Sequence, residues 1–121
     1  MRKPTLTQNQ CEAIADILVV AMYADGHISL LEDENLNEKI DALGWDENQS
    51  PSFYLNLSIA KSRAADTLDK AKSILEDRSA ILETQEIKDY TYRKTIDLLQ
   101  SDGLTDEEKE FIVVLRSALN Q

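Results

Sequence analysis

The first stretch in which apolar residues recur at helical spacing begins soon after the amino terminus. Thr7-Gln8-Asn9-Gln10 has the spacing of a capping box, in which a Thr and a Gln three residues later accept hydrogen bonds from each other's backbone amides. From there to about Ala24 the apolar positions fall three or four residues apart, which predicts an amphipathic helix. The inward stripe predicted for this helix consists of Cys11, Ile14, Leu18, Ala21 and Met22.

Two further helices are predicted between Ser29 and position 64. One begins after Ser29 and ends at Gly44, because glycine readily takes the left-handed conformation that closes a helix, with Trp45 folded back on the last turn. The other spans roughly 51–64, since Ser50-Pro51 supplies an N-cap and a proline at the first helical position. The expected inward residues are Leu31, Leu36, Ile40 and Leu43 in the first helix, and Phe53, Leu57 and Ile59 or Ala60 in the second.

Three more helices are predicted in the carboxyl-terminal half. The chain from Asp66 to about Gln100 contains neither Gly nor Pro, and we place a break between two helices near Asp77 to Ser79. A last helix runs from about Thr105 to Leu119. The positions that carry the pattern are Ile87, Tyr90, Lys94 and Leu98, with Ile96 and Leu99, and then Phe111, Ile112, Leu115 and Leu119.

The scarcity of turn-forming residues decides the fold class. Three glycines and two prolines in 121 residues are too few for the many turns of an all-β protein. A chain of this length buries one hydrophobic core. The sequence therefore predicts a single all-α domain over residues 1–121, folded as a compact helical bundle.

An internal repeat lies between the predicted helices. Residues 24–32 read ADGHISLLE and residues 101–108 read SDGLTDEE, so in each an Asp-Gly pair is followed by an apolar residue, a Ser or Thr, and a Glu three positions after the hydroxyl. The second copy is one residue shorter between its glycine and its hydroxyl residue. Helix capping explains the glycine, the hydroxyl and the glutamate. It does not explain the aspartate, which sits at the negative end of a helix dipole unless a cation or a local turn uses it.

This paired motif resembles that of the TerB-like tellurite-resistance family, a domain also found in some DnaJ-like co-chaperones. The resemblance covers nearly the whole chain. It implies an all-α bundle of about seven helices in two pseudo-related halves, a bacterial cytoplasmic stress response, and an acidic surface that takes a divalent metal. On this sequence the family's motif acids fall on Asp25, Glu32, Asp102 and Glu108.

The same residues are compatible with some alternative chemistries and incompatible with others. A twelve-residue EF-hand loop is excluded, because the first two ligand positions would be Ala21 and Tyr23. Coordination of a hard cation and a purely capping role both stay open for the motif carboxylates. The single histidine, His27, fits a solvated loop better than a metal ligand, and the single cysteine, Cys11, fits a small buried hydrophobe.

The net charge of the chain limits the classes of partner that it is expected to bind. Thirteen Lys and Arg stand against 23 Asp and Glu, giving a formal charge of −10 and a pI near 4.4, so nucleic acid and anionic lipid are poor partners. Most of the excess lies in residues 1–60, which hold three basic and ten acidic residues. The longest apolar run, Ile17 to Ala24, is about half as long as a membrane-spanning helix needs to be. With no signal peptide evident, we expect a cytoplasmic protein without membrane insertion.

These observations favour a non-enzymatic module of the TerB-like stress-response type. In that hypothesis the motif carboxylates bind Ca²⁺, Mg²⁺ or Mn²⁺, and an acidic face meets a protein partner. The alternative is a metal-free interaction adaptor whose Asp-Gly motifs are only helix caps. Catalysis through carboxylates has the least support, because nucleophile elbows, phosphate-binding glycine loops and His-containing metal motifs are absent from the sequence.

Overall fold

The computed structural model describes residues 6–22, 58, 68–100 and 106–120, and all regular secondary structure within them is α-helical. This confirms the all-α class for the part of the chain described. Ser58 is a single helical residue between the first two helices. The helices predicted between Ser29 and Gly44 and over 51–64, apart from Ser58, lie outside the described residues, as do residues 24–32 and 101–105 of the two Asp-Gly motifs. The four helices are α1 (Gln8–Met22), α2 (Leu68–Leu82), α3 (Gln85–Gln100) and α4 (Asp106–Ala118).

The predicted capping box opens α1. The Gln10 backbone amide donates to Thr7 Oγ1 at 3.2 Å, and the Thr7 amide donates to Gln10 Oε1 at 3.0 Å. Each side chain therefore satisfies an amide that the first helical turn leaves without a helical partner. The prediction of a helix starting behind Thr7 is confirmed.

The middle of α1 is buried on every side. The predicted stripe is confirmed at Cys11, Ile14, Leu18 and Ala21, all at most 1% exposed. The stripe was too narrow a prediction, however, because every residue of the segment 13–21 is also buried. A helix that is apolar all round belongs in the centre of a fold, and α1 packs against both α2 and α3.

The boundary between α2 and α3 differs from the prediction. The chain stays helical through Asp77 to Ser79, and α2 ends only at Leu82. Glu83 then takes a left-handed conformation with φ of 64°, and the Ile87 amide donates to Thr84 Oγ1 at 3.3 Å. Thr84 is thus the N-cap of α3. The expected break was wrong because a glutamate, rather than a glycine, occupies the left-handed position that ends α2.

The core is completed by α3 and α4. The predicted span of α4, Thr105 to Leu119, is confirmed to within one residue at each end. Ile112 and Ile96 lie half-buried at the edge of the core, and Lys94 lies over the ring of Tyr90 with its Nζ 5.4 Å from the ring centroid. The predicted core residues that are fully or nearly fully buried are Ile87, Tyr90, Leu98, Leu99, Phe111, Leu115 and Leu119.

Side chains join three helix ends at one end of the bundle. The Ser79 hydroxyl donates to the Ala118 carbonyl at 2.6 Å, and Gln85 Nε2 lies 3.4 Å from the carbonyl of Leu119. Gln10 Nε2 donates to the Leu82 carbonyl at 3.4 Å. Carbonyls at the ends of α2 and α4, which have no partner within their own helix, are therefore bonded by neighbouring elements. Within the described residues, no helix is both long enough and apolar enough to cross a membrane.

The left-handed Glu83 leads to a prediction about stability. Glycine adopts this conformation without the steric cost that a Cβ brings, so Glu83→Gly is expected to raise the free energy of unfolding by about 0.5–1 kcal/mol. Glu76→Gly is the matched control, because Glu76 is an exposed residue inside α2. It should lower stability by about 1 kcal/mol. Urea denaturation followed by circular dichroism measures both, and a loss in Glu83→Gly would contradict the strain argument.

Candidate functional site

Only one of the four motif carboxylates predicted from the sequence lies in the described structure. Asp25, Glu32 and Asp102 are outside it, as is His27. Glu108 is the third residue of α4, the position that a capping box with Thr105 requires, and it is 3% exposed. A buried carboxylate is expensive unless backbone amides or side chains accompany it. The first turn of a helix, with its unpaired amides and positive dipole end, favours that charge.

A second buried carboxylate, Asp16, was not predicted as a site residue. It is 3% exposed in the middle of α1. The Ser58 hydroxyl donates to Asp16 Oδ1 at 2.6 Å, and Arg78 Nε of α2 donates to Asp16 Oδ2 at 2.5 Å. Arg78 also bonds the carboxylate of its neighbour Asp77. This Asp16–Arg78–Ser58 cluster joins three segments that are far apart in sequence.

The sequence did contain a signal for this cluster. Asp16 is the one charged residue between Ala13 and Ala24, in the most apolar run of the chain. A carboxylate among buried residues needs a partner, so the sequence pattern was enough to predict that Asp16 has one. Which residue pairs with it depends on how α1 and α2 pack, since Arg78 is 62 positions away.

An open cleft lies beside this cluster, between α1 and α2. Its volume is about 190 Å³. On α1 the lining residues follow the spacing of one helix face, and on α2 they lie one turn apart. The exposed Asn9 and Ile81 stand at its mouth and the buried Asp16 at its floor. We call this the α1–α2 cleft, and its described lining is Asn9, Glu12, Ala13, Asp16, Arg78 and Ile81.

A third feature is the contact between α1 and α3 at Cys11. Cys11 is fully buried, and Tyr90 is 5% exposed. Burial raises the pKa of the Tyr90 phenol above its ordinary value of 10.0, and the neighbouring Cys11 adds to the increase. A higher pKa keeps the phenol protonated, so Tyr90 contributes to core packing rather than acting as an activated nucleophile.

The described residues contain no group of three or more His, Cys, Asp or Glu side chains that could hold a metal ion. Three of the four predicted ligands are not among those residues. Comparisons of the chain with protein-family models, with curated proteins and with solved structures give no match. Its function is therefore inferred from its own residues.

Asp16 and Asp77 contact the same Arg78 guanidinium, but we expect their substitution to change the free energy of unfolding by very different amounts. Asp16→Ala leaves the Arg78 guanidinium and the Ser58 hydroxyl without their buried acceptor. We expect a loss of about 2–3 kcal/mol, below the value for a fully buried pair because Arg78 reaches water. Asp77→Ala is the control, since Asp77 contacts the same guanidinium from a 68% exposed position and should cost about 0.5 kcal/mol or less. Equal losses in urea denaturation would contradict a structural role for Asp16.

Tyr90 predicts a dependence of stability on alkaline pH. Because the folded protein holds the phenol proton more tightly than the unfolded chain does, this stability is fully present below pH 10. It is lost as the pH rises from 10 through the higher pKa of the folded state. The difference between tyrosinate absorbance titrations of the parent and Tyr90→Phe should show a midpoint above 10.0, and Cys11→Ala should lower that midpoint. A midpoint at or below 10.0, while circular dichroism stays native, would be the opposite result.

Proposed function

We propose that this chain is a non-enzymatic binding module of the TerB-like type, which binds a divalent cation through Asp25, Glu32, Asp102 and Glu108. In this proposal the complete domain has about six to seven helices in two related halves. It acts in a bacterial cytoplasmic stress response, of which tellurite resistance is the type example. Its acidic face meets a protein partner.

The observation that carries the proposal is the burial of Glu108 at the start of α4. A glutamate that serves only as a helix cap can stand at the protein surface, whereas Glu108 is 3% exposed. Burial excludes the water that would screen a charge at this carboxylate, so a cation that reaches it would interact with it more strongly than with a surface carboxylate. The repeat puts Asp102 and Gly103 immediately ahead of the same helix, so a second carboxylate is close in sequence.

Hard oxygen ligands determine the expected metal. Carboxylate and carbonyl oxygens suit Ca²⁺, Mg²⁺ and Mn²⁺, whereas Zn²⁺ prefers nitrogen and sulfur ligands. The chain has one histidine and one cysteine. Cys11 lies fully buried in α1, away from the motifs in sequence.

A metal-free adaptor is the second candidate, and α1 supplies the observation in its favour. The Thr7 and Gln10 pair forms a reciprocal capping box with a neutral amide in the position that Glu108 occupies in α4. The same local arrangement therefore forms in this protein without a charge. If Glu32 and Glu108 only cap their helices, the acidic surface would serve partner recognition alone.

Cation-dependent stability distinguishes the two candidates. If the sites are real, Ca²⁺, Mg²⁺ or Mn²⁺ should raise the free energy of unfolding more than Zn²⁺ does. At a free concentration of about 100 times the dissociation constant, the gain should be roughly 2.7 kcal/mol. Thermal unfolding followed by circular dichroism measures it. An unchanged melting temperature at millimolar concentrations of all three ions supports the adaptor instead.

Conservative substitutions provide the control. Glu32→Gln and Glu108→Gln keep the capping geometry, as Gln10 does in α1, but remove the charge that a metal needs. They should lose most of the cation-induced gain while changing metal-free stability little, and Asp25→Asn and Asp102→Asn should do the same. Ser29→Ala and Thr105→Ala delete only a cap, so each should cost about 1 kcal/mol with or without metal.

A further inference from the structure

The α1–α2 cleft has features of a docking point for a single side chain. Small-molecule sites commonly occupy about 300–1,000 Å³, and this cleft measures about 190 Å³. It is therefore smaller than a site for a cofactor or a drug-sized metabolite. It is open at the end where Asn9 and Ile81 are exposed, so a side chain presented by another protein can enter from the surface.

The charged residues of the α1–α2 cleft determine whether it attracts a cationic or an anionic group. The described lining of the cleft contains two carboxylates, those of Glu12 and Asp16, and one guanidinium, that of Arg78. Arg78 is bonded to Asp16 at 2.5 Å, so these two opposite charges offset each other, and the same guanidinium also bonds Asp77, which is not a lining residue. The remaining carboxylate, that of Glu12, leaves the described lining negative. An anion would be repelled there, and a cationic group would be attracted.

The apolar part of the lining selects a long side chain over a free ion. Ala13 and Ile81 lie beside the polar groups, and Ile81 is 37% exposed. Arginine and lysine both carry an aliphatic stem that can cover such a surface while the charged head stays in contact with polar groups. Arginine fits better, because its planar guanidinium carries five donors and is weakly hydrated. Those donors match the Glu12 carboxylate and the side-chain carbonyl of Asn9.

We propose that the α1–α2 cleft receives an arginine side chain of a protein partner, with Glu12 and Asn9 accepting from its guanidinium and Ile81 covering its stem. Asp16 and Arg78 act as positioning residues that hold the floor of the cleft. This inference rests on the proposed function in one respect, the protein partner. It locates the place on the acidic surface at which that partner is recognised.

The test uses a capped arginine as the probe. Nα-acetyl-arginine N-methylamide is titrated into the full chain labelled with ¹⁵N, and the backbone amide signals are followed by NMR. Saturable shifts are expected at Asn9, Glu12, Ala13 and Ile81, with a dissociation constant on the order of millimolar. The citrulline analogue has the same shape without the charge, and it should produce no saturable shifts at these four amides.

Paired variants separate the cleft from general electrostatics. Glu12→Gln should weaken arginine binding by roughly fivefold, the effect of losing one partly exposed ion pair. Glu76→Gln, an exposed carboxylate of α2 that pairs with Lys72, should leave it unchanged. Ile81→Ser should also weaken binding, whereas Val113→Ser, which alters an exposed apolar residue of α4, should not.

Several results would overturn the assignment. These are the absence of saturable shifts, equal binding by parent and Glu12→Gln, equal shifts with citrulline, or the same shifts with MgCl₂ at matched ionic strength. The proposed function can fail separately. Glu12→Gln should keep any cation-induced stabilisation, because Glu12 is not a motif carboxylate, and a domain that ignores divalent cations can still bind the arginine probe.

Discussion

Desolvation of α1 is the constraint on which the other described helices depend. Every residue of the segment 13–21 is at most 4% exposed, so the helix needs neighbours around its whole circumference. Full burial of each large aliphatic side chain contributes about 1.5–3 kcal/mol. The one charge in the segment, Asp16, acts against this, since an unpaired buried ion costs several kcal/mol. The bonds from Ser58 and Arg78 are what make that burial tolerable.

Local features of the fold were readable from the sequence. The start of α1 depends on Thr7 and Gln10, which are three residues apart, and the bounds of α4 follow from a nearby hydroxyl residue and a regular apolar pattern. The end of α2 was misplaced because its left-handed residue is Glu83, which carries none of the preference that identifies glycine. Neighbouring bonds from Thr84 and Gln10 stabilise that end instead.

The candidate sites also differ in whether local sequence or helix packing determines them. A repeated motif pointed to Glu108, and the structure places that residue where a capping box requires it. The α1–α2 cleft was not predictable, because its two walls come from helices about 60 residues apart and meet only through packing. The position of Asp16 in an apolar run indicates that it needs a partner, but no residue near it in sequence identifies that partner as Arg78.

The third residue of the helix differs in its chemistry between α1 and α4. In α1 that residue is Gln10, whose amide accepts from Thr7 and also donates to the Leu82 carbonyl, so it connects two helices. In α4 it is Glu108, a carboxylate that can only accept when ionised. The neutral residue therefore adds a contact between helices, and the acidic one adds a local negative potential when it is ionised.

The bonds that Gln10, Ser79 and Gln85 make between helix ends also affect how these ends fray. Because Ser79 of α2 and Gln85 of α3 donate to carbonyls at the end of α4, fraying of that end breaks bonds to two other helices, so we expect these helix ends to open as one cooperative unit.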